Sequence, residues 1–326
     1  MPAPPPITGT ITGTLTGTLA NTGRIDKSLA QAAGLSRERI KALIALGAVT
    51  IGRTVATNPS VKMQAGAHFT IQLPPVEPAE AQPQDIPLDI VFEDAHLIVV
   101  NKPAGMVVHP AAGNTDGTLV NALLYHCTRN GGVGLSGIGG VARPGIVHRI
   151  DKGTSGLLVV AKSAIAHEGL ASQFADHSIT RRYLAVCNGH LEPAQGTVEG
   201  RIGRSEKNRK KMAVLPADTT RGKHAVTHYR TIEKGNHCSV LECILETGRT
   251  HQIRVHCASI GHALTGDPVY GSTPAALRLT LARIGFARQA LHAAKLGFIH
   301  PASGQYAEYQ SDLPSDMQEL IDQTVR

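Results

Sequence analysis

The stretch Gly145-Ile-Val-His-Arg-Ile-Asp-Lys-Gly-Thr-Ser-Gly-Leu-Leu-Val-Val-Ala-Lys162 holds two apolar segments, Ile146-Val147 and Leu157 to Ala161. Each is short and rich in branched residues, which predicts strands. Between them runs a polar turn from His148 to Gly156, whose glycines and hydroxyls allow a sharp reversal. Asp151 thus sits on a turn mounted between two strands, flanked by Arg149 and Lys152. A carboxylate there has a rigid mount and cationic neighbours. On spacing alone, a surface hairpin whose Asp caps its own turn fits best, because Asp and Gly are ordinary turn residues. A kinase-type catalytic loop is excluded, since it needs Asp directly after His-Arg and Ile150 intervenes. A Ser155 hydrolase is excluded as well: Thr154 and Gly156 flank Ser155 directly and break the Gly-x-Ser-x-Gly pattern.

The 326 residues are enough for two domains and a full core. Apolar residues make up 42% and come in short runs, as in a globular chain. None of these runs approaches the ~18 residues of a membrane span. The N-terminus lacks the early positive cluster and apolar core of a signal peptide, so a cytoplasmic protein is expected. Cys127, Cys187, Cys238, Cys243 and Cys257 form no Cys-x-x-Cys pair, and reduced thiols are the simplest account. His251, His256 and Cys257 do not have metal-ligand spacing, so no metal is expected. The net charge of +7 and pI of 9.3 point to an anionic partner. That charge is clustered. Segment 201–211 carries Arg201, Arg204, Lys207, Arg209, Lys210 and Lys211 against Glu206 alone, whereas segment 76–95 carries Glu77, Glu80, Asp85, Asp89, Glu93 and Asp94 with no Lys or Arg. Such clustering suits a nucleic-acid footprint. Aromatics at 3% argue against a single-strand binder built from stacking platforms.

Residues 1–23, Pro-rich and then Thr-Gly repeats, carry no charge and little apolar mass, and read as a flexible tail. Residues 24–73 read as a small module. Ile25, Leu29, Ala32 and Ala33 recur at helical spacing, and Ser36 caps a second helix of Ile40, Leu43, Ile44 and Leu46 that Gly47 stops. Strands are expected over residues 49–55 and 68–73. Arg24, Lys27, Arg37, Arg39 and Lys41 cluster on the helical part, where a solvated face and an RNA contact fit equally. Residues 74–86 are a proline-rich, polar linker. A larger domain is expected over residues 87–326. Its elements include strands at 90–92 and 97–100, a helix opened by Thr118, and a strand over 180–186 carrying Tyr183. A strand, a Gly turn and a helix follow over 245–256, with Ile253, Val255 and Ile260 as the helix's apolar part, and a strand follows in 291–301.

The run from His148 to Leu158 resembles the signature of the RluA/RluD-type pseudouridine synthases, which more often have Leu where this chain has Ile150. Asn101-Lys-Pro-Ala-Gly105, Val108-His-Pro110 and Ala142 to Arg149 match further blocks of that family, so the resemblance spans about residues 88–312. It implies an α+β catalytic domain with a mixed, largely antiparallel sheet. The order Arg24-Ile-Asp-Lys-Ser-Leu, Ser36-Arg37, Leu43-Ile44 and Gly47-Ala-Val49 resembles the S4 domain, a small α+β RNA-binding module, and points to the RluD-like branch. Members of that branch act on large-subunit ribosomal RNA, which implies an RNA stem-loop as partner, no membrane and, by default, a monomer.

By the same resemblance Asp151 is the catalytic residue, Tyr183 packs against the target base, and Arg254 pairs with Asp151. Arg149 helps to hold the vacated RNA. A Tyr on a strand is by propensity a core residue, and Arg249 and Arg254 could equally be solvated charges. An Arg fork nonetheless suits a carboxylate, because it stays charged and bonds two oxygens at once. RNA contacts are expected from His148, Arg249, Lys207, Arg209, Lys210 and Lys211, and from Arg37, Arg39 and Lys41 in the module. The implied reaction breaks the N1–C1′ bond of a flipped-out uridine, turns the uracil, and joins C5 to C1′, with no redox step and no cofactor. A non-catalytic RNA-binding or assembly protein is the main rival, and the trio Asp151, Tyr183 and Arg254 speaks against it. A metal-dependent hydrolase using the histidines is a weaker one.

Overall fold

The computed structural model of the chain describes residues 13–33, 35, 37–73, 81–111, 113–129, 134–136, 143–206, 208 and 211–325 and divides into two units, residues 1–78 and 79–326. In the first, β1 (Gly13–Thr18), β2 (Gly23–Arg24), α1 (Ile25–Ala33), α2 (Arg37–Ala45), β3 (Val49–Ile51), β4 (Thr54–Val55), β5 (Lys62–Met63) and β6 (His68–Leu73) follow in order. Ile25 and Leu29 of α1 and Ile40, Leu43 and Ile44 of α2 turn one stripe of each helix inward. They meet Val49, Phe69 and Ile71 of an antiparallel sheet ordered β1-β6-β3-β4.

The tail expected over residues 1–23 is overturned for residues 13–18. There β1 pairs with β6 from Gly13↔Leu73 to Thr18↔His68. Thr-Gly repeats lack charge and bulk, but threonine is a good strand former and Leu15 packs on the core. Gly17 leaves room for the Phe69 ring to cross the strand, since a Cβ at position 17 would stand 2.8 Å from it. The strand expected over residues 49–55 is instead the hairpin of β3 and β4, turned at Gly52 with φ 60°.

The second unit runs β7 (Ile90–Glu93), β8 (Leu97–Lys102), α3 (Leu119–Arg129), β9 (Ser155–Ala161), α4 (Ala164–Ala175), β10 (Thr180–Asn188), β11 (Gln195–Arg204) and β12 (Met212–Leu215). It continues with β13 (Lys223–Lys234), β14 (Cys238–Leu245), α5 (Gln252–Ser259), α6 (Ala275–Arg283), β15 (Leu291–Ile299), β16 (Tyr306–Gln310) and α7 (Ser315–Thr324). One mixed sheet takes the order β12-β11-β13-β14-β10-β15-β9-β8-β7, with β16 on β15. All its pairings are antiparallel except β9 with β15. The chain is therefore α+β with a mixed, largely antiparallel sheet. Strands β8 and β9 are buried on both faces, which is why they read as unbroken apolar runs.

Three further expectations change. The strand expected at Ile146-Val147 is reduced to a single bridge, Ile146↔Val160. Ile260 does not join the apolar face of α5 but lies exposed at its C-terminal end. Residues 81–86, expected as linker, run along α3: the Gln84 amide donates to the Asn121 carbonyl (3.0 Å), and Asn121 Nδ2 donates to the Gln82 carbonyl (2.8 Å). The polar, proline-rich composition concealed these contacts because they are made through the backbone.

The parallel seam between β9 and β15 pairs only Ser155↔His292 and Gly156↔Ala293, and the Asp151 turn enters β9 directly before it. Gly156 has φ 112°, and a Cβ there would stand 2.4 Å from the Ala293 carbonyl oxygen. Gly156→Ala is expected to cost roughly 2–4 kcal/mol, because a strained φ adds to a backbone overlap that no rotamer relieves. The denaturant midpoint measures this. An unchanged midpoint would mean that the seam opens without cost.

Candidate active site

The Asp151 turn is anchored from within by Ile150, buried in the main core, and closed by the Thr154 amide donating to the Asp151 carbonyl (3.0 Å). Its backbone is then gripped from other segments. The Gly105 amide donates to the Lys152 carbonyl (2.7 Å), and Arg288 Nη1 donates to the Gly153 carbonyl (3.1 Å). Lys102, buried at the end of β8, donates from Nζ to the carbonyls of Pro103 (2.7 Å) and Met106 (2.8 Å). Burial brings its ammonium down to about 7, against the upward pull of Asp151, while Arg288 lowers it further. The turn is thus a fixed mount, with the Asp151 side chain 19% exposed at its tip.

Asp151, Arg254, Tyr183, Arg149, His148 and Arg249 all line one cavity of about 240 Å³. That is below the roughly 300–1,000 Å³ of sites for drug-sized ligands and suits one small planar group. Leu245 and Leu291 supply apolar wall. Tyr183, 8% exposed, comes from β10 beside a bulge where the register with β15 slips between Arg182 and Tyr183. Bulges re-aim side chains next to active sites. Burial raises the Tyr183 phenol, Arg181 lowers it, and Asp151 raises it again.

Helix α5 delivers the cation. Gln252, at its first turn, donates from Nε2 to the Val226 carbonyl (2.9 Å), and its Oε1 accepts from Thr247 Oγ1 (2.7 Å) and the Arg249 amide (3.0 Å). This fixes the helix start on β13. Arg254 then donates from Nη1 to Oδ2 of Asp151 at 3.0 Å. Its fork does not face Asp151, as the pairing of an Arg with one carboxylate would suggest. Nε and Nη2 instead bond both oxygens of Asp267, at 2.7 and 2.9 Å. Burial would raise the Asp267 carboxyl, but the bonds and charge of Arg254 and the amides of Val269 and Tyr270 outweigh it and hold the group below its usual range. The Arg254 guanidinium also lies over the Tyr270 ring, 5.0 Å from its centroid.

Other candidates find different partners. His148 lines the cavity, but its Nε2 accepts the Val159 amide (3.0 Å) and its ring stacks on Phe174, 4.4 Å between centroids. Burial, and then Arg181, lowers it to about 3. Its ring is therefore engaged in holding β9. Arg249 donates from Nε to the His224 carbonyl (2.8 Å), and Lys211 Nζ donates to the Val269 carbonyl. In the first unit, Arg37 joins Arg24 on the fully buried carboxylate of Asp26, at 2.8 and 3.1 Å. The Arg24 bond is the largest influence holding that carboxyl at about 2, and Arg37 adds to it against burial. Arg37 is thus committed to tying α2 to α1. Lys41 is half-buried, the side chain of Arg39 is outside the description, and Lys207, Arg209 and Lys210 lie outside the described residues. Arg149 is exposed and forms no ion pair or hydrogen bond among the described residues.

Sequence reasoning missed Asp267, Tyr270, His251, Lys102 and Arg181. Asp267 stands in Gly266-Asp-Pro268, which reads as an ordinary turn. Among the described residues no cluster of His, Cys, Asp and Glu has the arrangement of a metal site.

Residues 96–259 match the family model described as RNA pseudouridylate synthase. The chain is 58% identical over 300 residues to ribosomal large subunit pseudouridine synthase D of Zymomonas mobilis, covering 91% of this chain and 92% of that one. It is 46% identical over 307 residues to the protein of the same name from Escherichia coli strain K12, covering 92% and 90%. Among solved structures, human RNA pseudouridylate synthase domain containing 1 superposes with a TM-score of 0.56 at 27% identity, over 71% of this chain and 85% of that one. The chain belongs to the RNA pseudouridylate synthase family, isomerases that convert uridine in RNA to pseudouridine.

Proposed function

We propose that the chain modifies uridines of large-subunit ribosomal RNA, with Asp151 as the reacting carboxylate. The observation that carries this reading is the 3.0 Å pair of Asp151 and Arg254 inside a cavity that Tyr183 also lines. Uridine and pseudouridine are isomers: the N1–C1′ bond breaks, C5 bonds C1′, C5 gives up a proton and N1 takes one. A duplex or stacked loop hides these atoms, so the target nucleotide must leave its stack. The cavity would take the uracil against Tyr183, and Asp151 would act on it by attack at C1′ or C6 or by taking a proton. Arg149, exposed beside Asp151 and without an ion pair among the described residues, is suited to the place the base vacates or to its phosphates.

The first unit is read as an S4-like RNA-binding module and residues 79–326 as the catalytic domain, with Lys207, Arg209 and Lys210 adding phosphate contacts. A stem-loop substrate, a monomer and a cytoplasmic location complete the reading. No helix among the described residues is long and apolar enough to cross a membrane. The test is to incubate the protein with separate unmodified transcripts of large-subunit RNA, small-subunit RNA and transfer RNA and to map pseudouridine. Formation at defined sites in the large-subunit RNA alone is expected, and equal formation in all three would contradict the substrate assignment.

A further inference from the structure

His251, the residue before α5, is one of two non-glycine residues with positive φ among the described residues, at 58°. Such conformations persist where the surroundings over-determine them, and they concentrate at working sites. Here the surroundings are specific. Nδ1 of His251 lies 2.7 Å from the Tyr270 hydroxyl, and the two rings meet edge to face with centroids 5.5 Å apart. Nε2 lies 3.8 Å from Oδ1 of Asp151, the carboxylate oxygen that Arg254 leaves open.

One assignment of the proton satisfies all of these contacts. With the Met212 amide donating to the Tyr270 oxygen at 3.0 Å, the phenol gives its own proton to Nδ1. A neutral imidazole accepting at Nδ1 carries its hydrogen on Nε2. That hydrogen points toward Asp151. Burial holds His251 below the usual histidine range, against the upward pull of Asp151, which keeps the ring neutral near pH 7.

We propose that His251 is a positioning residue: in the RNA-bound enzyme its Nε2–H closes onto Oδ1 of Asp151, so His251 and Arg254 hold one oxygen each. A gap of 3.8 Å is too long for a hydrogen bond, but such contacts at catalytic groups are loose before substrate binds and tighten in the complex. Both donors ride at the start of one helix, which Gln252 pins to β13. Asp151 thus faces the substrate with its carboxylate plane set by α5. The inference rests on Asp151 being the reacting carboxylate.

The test uses the full chain, an unmodified large-subunit RNA transcript and single-turnover rates for His251→Leu, His251→Gln, Tyr270→Phe and Asp151→Asn. Leu and Gln are both unbranched at Cβ and place the same demand on the backbone, but only Gln offers an N–H. His251→Leu is expected to lower the rate roughly 10- to 100-fold with little change in RNA affinity, and His251→Gln to recover most of that loss. Tyr270→Phe, which releases the ring's tautomer, is expected to cost less and to add nothing in the His251→Leu background. Equal losses in Leu and Gln, or a wild-type rate in Leu, would overturn the role. If the Leu variant does not fold, Tyr270→Phe combined with His251→Gln decides: a combined effect smaller than the product supports the chain, and full multiplication overturns it. Activity retained by Asp151→Asn would instead sink the reading of Asp151 itself.

Discussion

Replacing Arg254 with methionine is expected to abolish activity and to cost roughly 3–5 kcal/mol of stability, the range for removing one partner of a buried ion pair. Arg254 is 5% exposed and the Asp267 side chain is fully buried. Without the guanidinium, Asp267 keeps, among the described residues, the amides of Val269 and Tyr270, and Asp151 loses the Arg254 cation at the same time. Arg254→Lys restores the charge but offers a point donor where a fork bonds Asp267 and a third nitrogen reaches Asp151, so it is expected to recover only a small part of either loss. The sign of the pH effect follows from Asp267. Its folded carboxyl lies below the ordinary value of 3.8, so this contribution is present above that pH and is lost as the pH falls through the depressed value. Denaturant titrations from neutral to acid pH should therefore show a shallower acid decline in Arg254→Met than in wild type. A variant as stable as wild type would refute the role of the three-way pair.

Much of this arrangement could be read in the sequence, and the reasons for the rest are physical. The Asp151 turn was legible because turn chemistry and apolar runs are local signals, and the Arg254 helix because a strand, a Gly turn and apolar spacing flank it. The strand at residues 13–18 was not legible. Its partner lies some fifty residues away in β6, and its Thr-Gly repeat becomes a strand only when Phe69 fills the space over Gly17. Asp267 was hidden for a similar reason. A Gly-Asp-Pro turn looks the same whether its carboxylate caps the turn or also holds an arginine from a helix earlier in the chain. Some of the basic residues counted toward RNA also hold the fold. Arg37 is drawn to a buried Asp, and Lys211 and Arg249 to backbone carbonyls. Pattern alone cannot separate a cation that holds the fold from one that waits for phosphate.

The other large effect is expected at Asp151. Asn keeps an acceptor for Arg254 in nearly the same volume but is neither a base nor a nucleophile, so Asp151→Asn should fold normally and bind RNA with near wild-type affinity. Its chemical step should slow on the order of 10³-fold or more, about 4 kcal/mol in the barrier. Tritium release from unmodified large-subunit RNA labelled at uracil C5, measured for wild type and Asp151→Asn alongside RNA binding, reads this directly. Release by the wild type and none by the bound mutant is the predicted result. Comparable release by both would remove Asp151 from the chemistry and contradict the account.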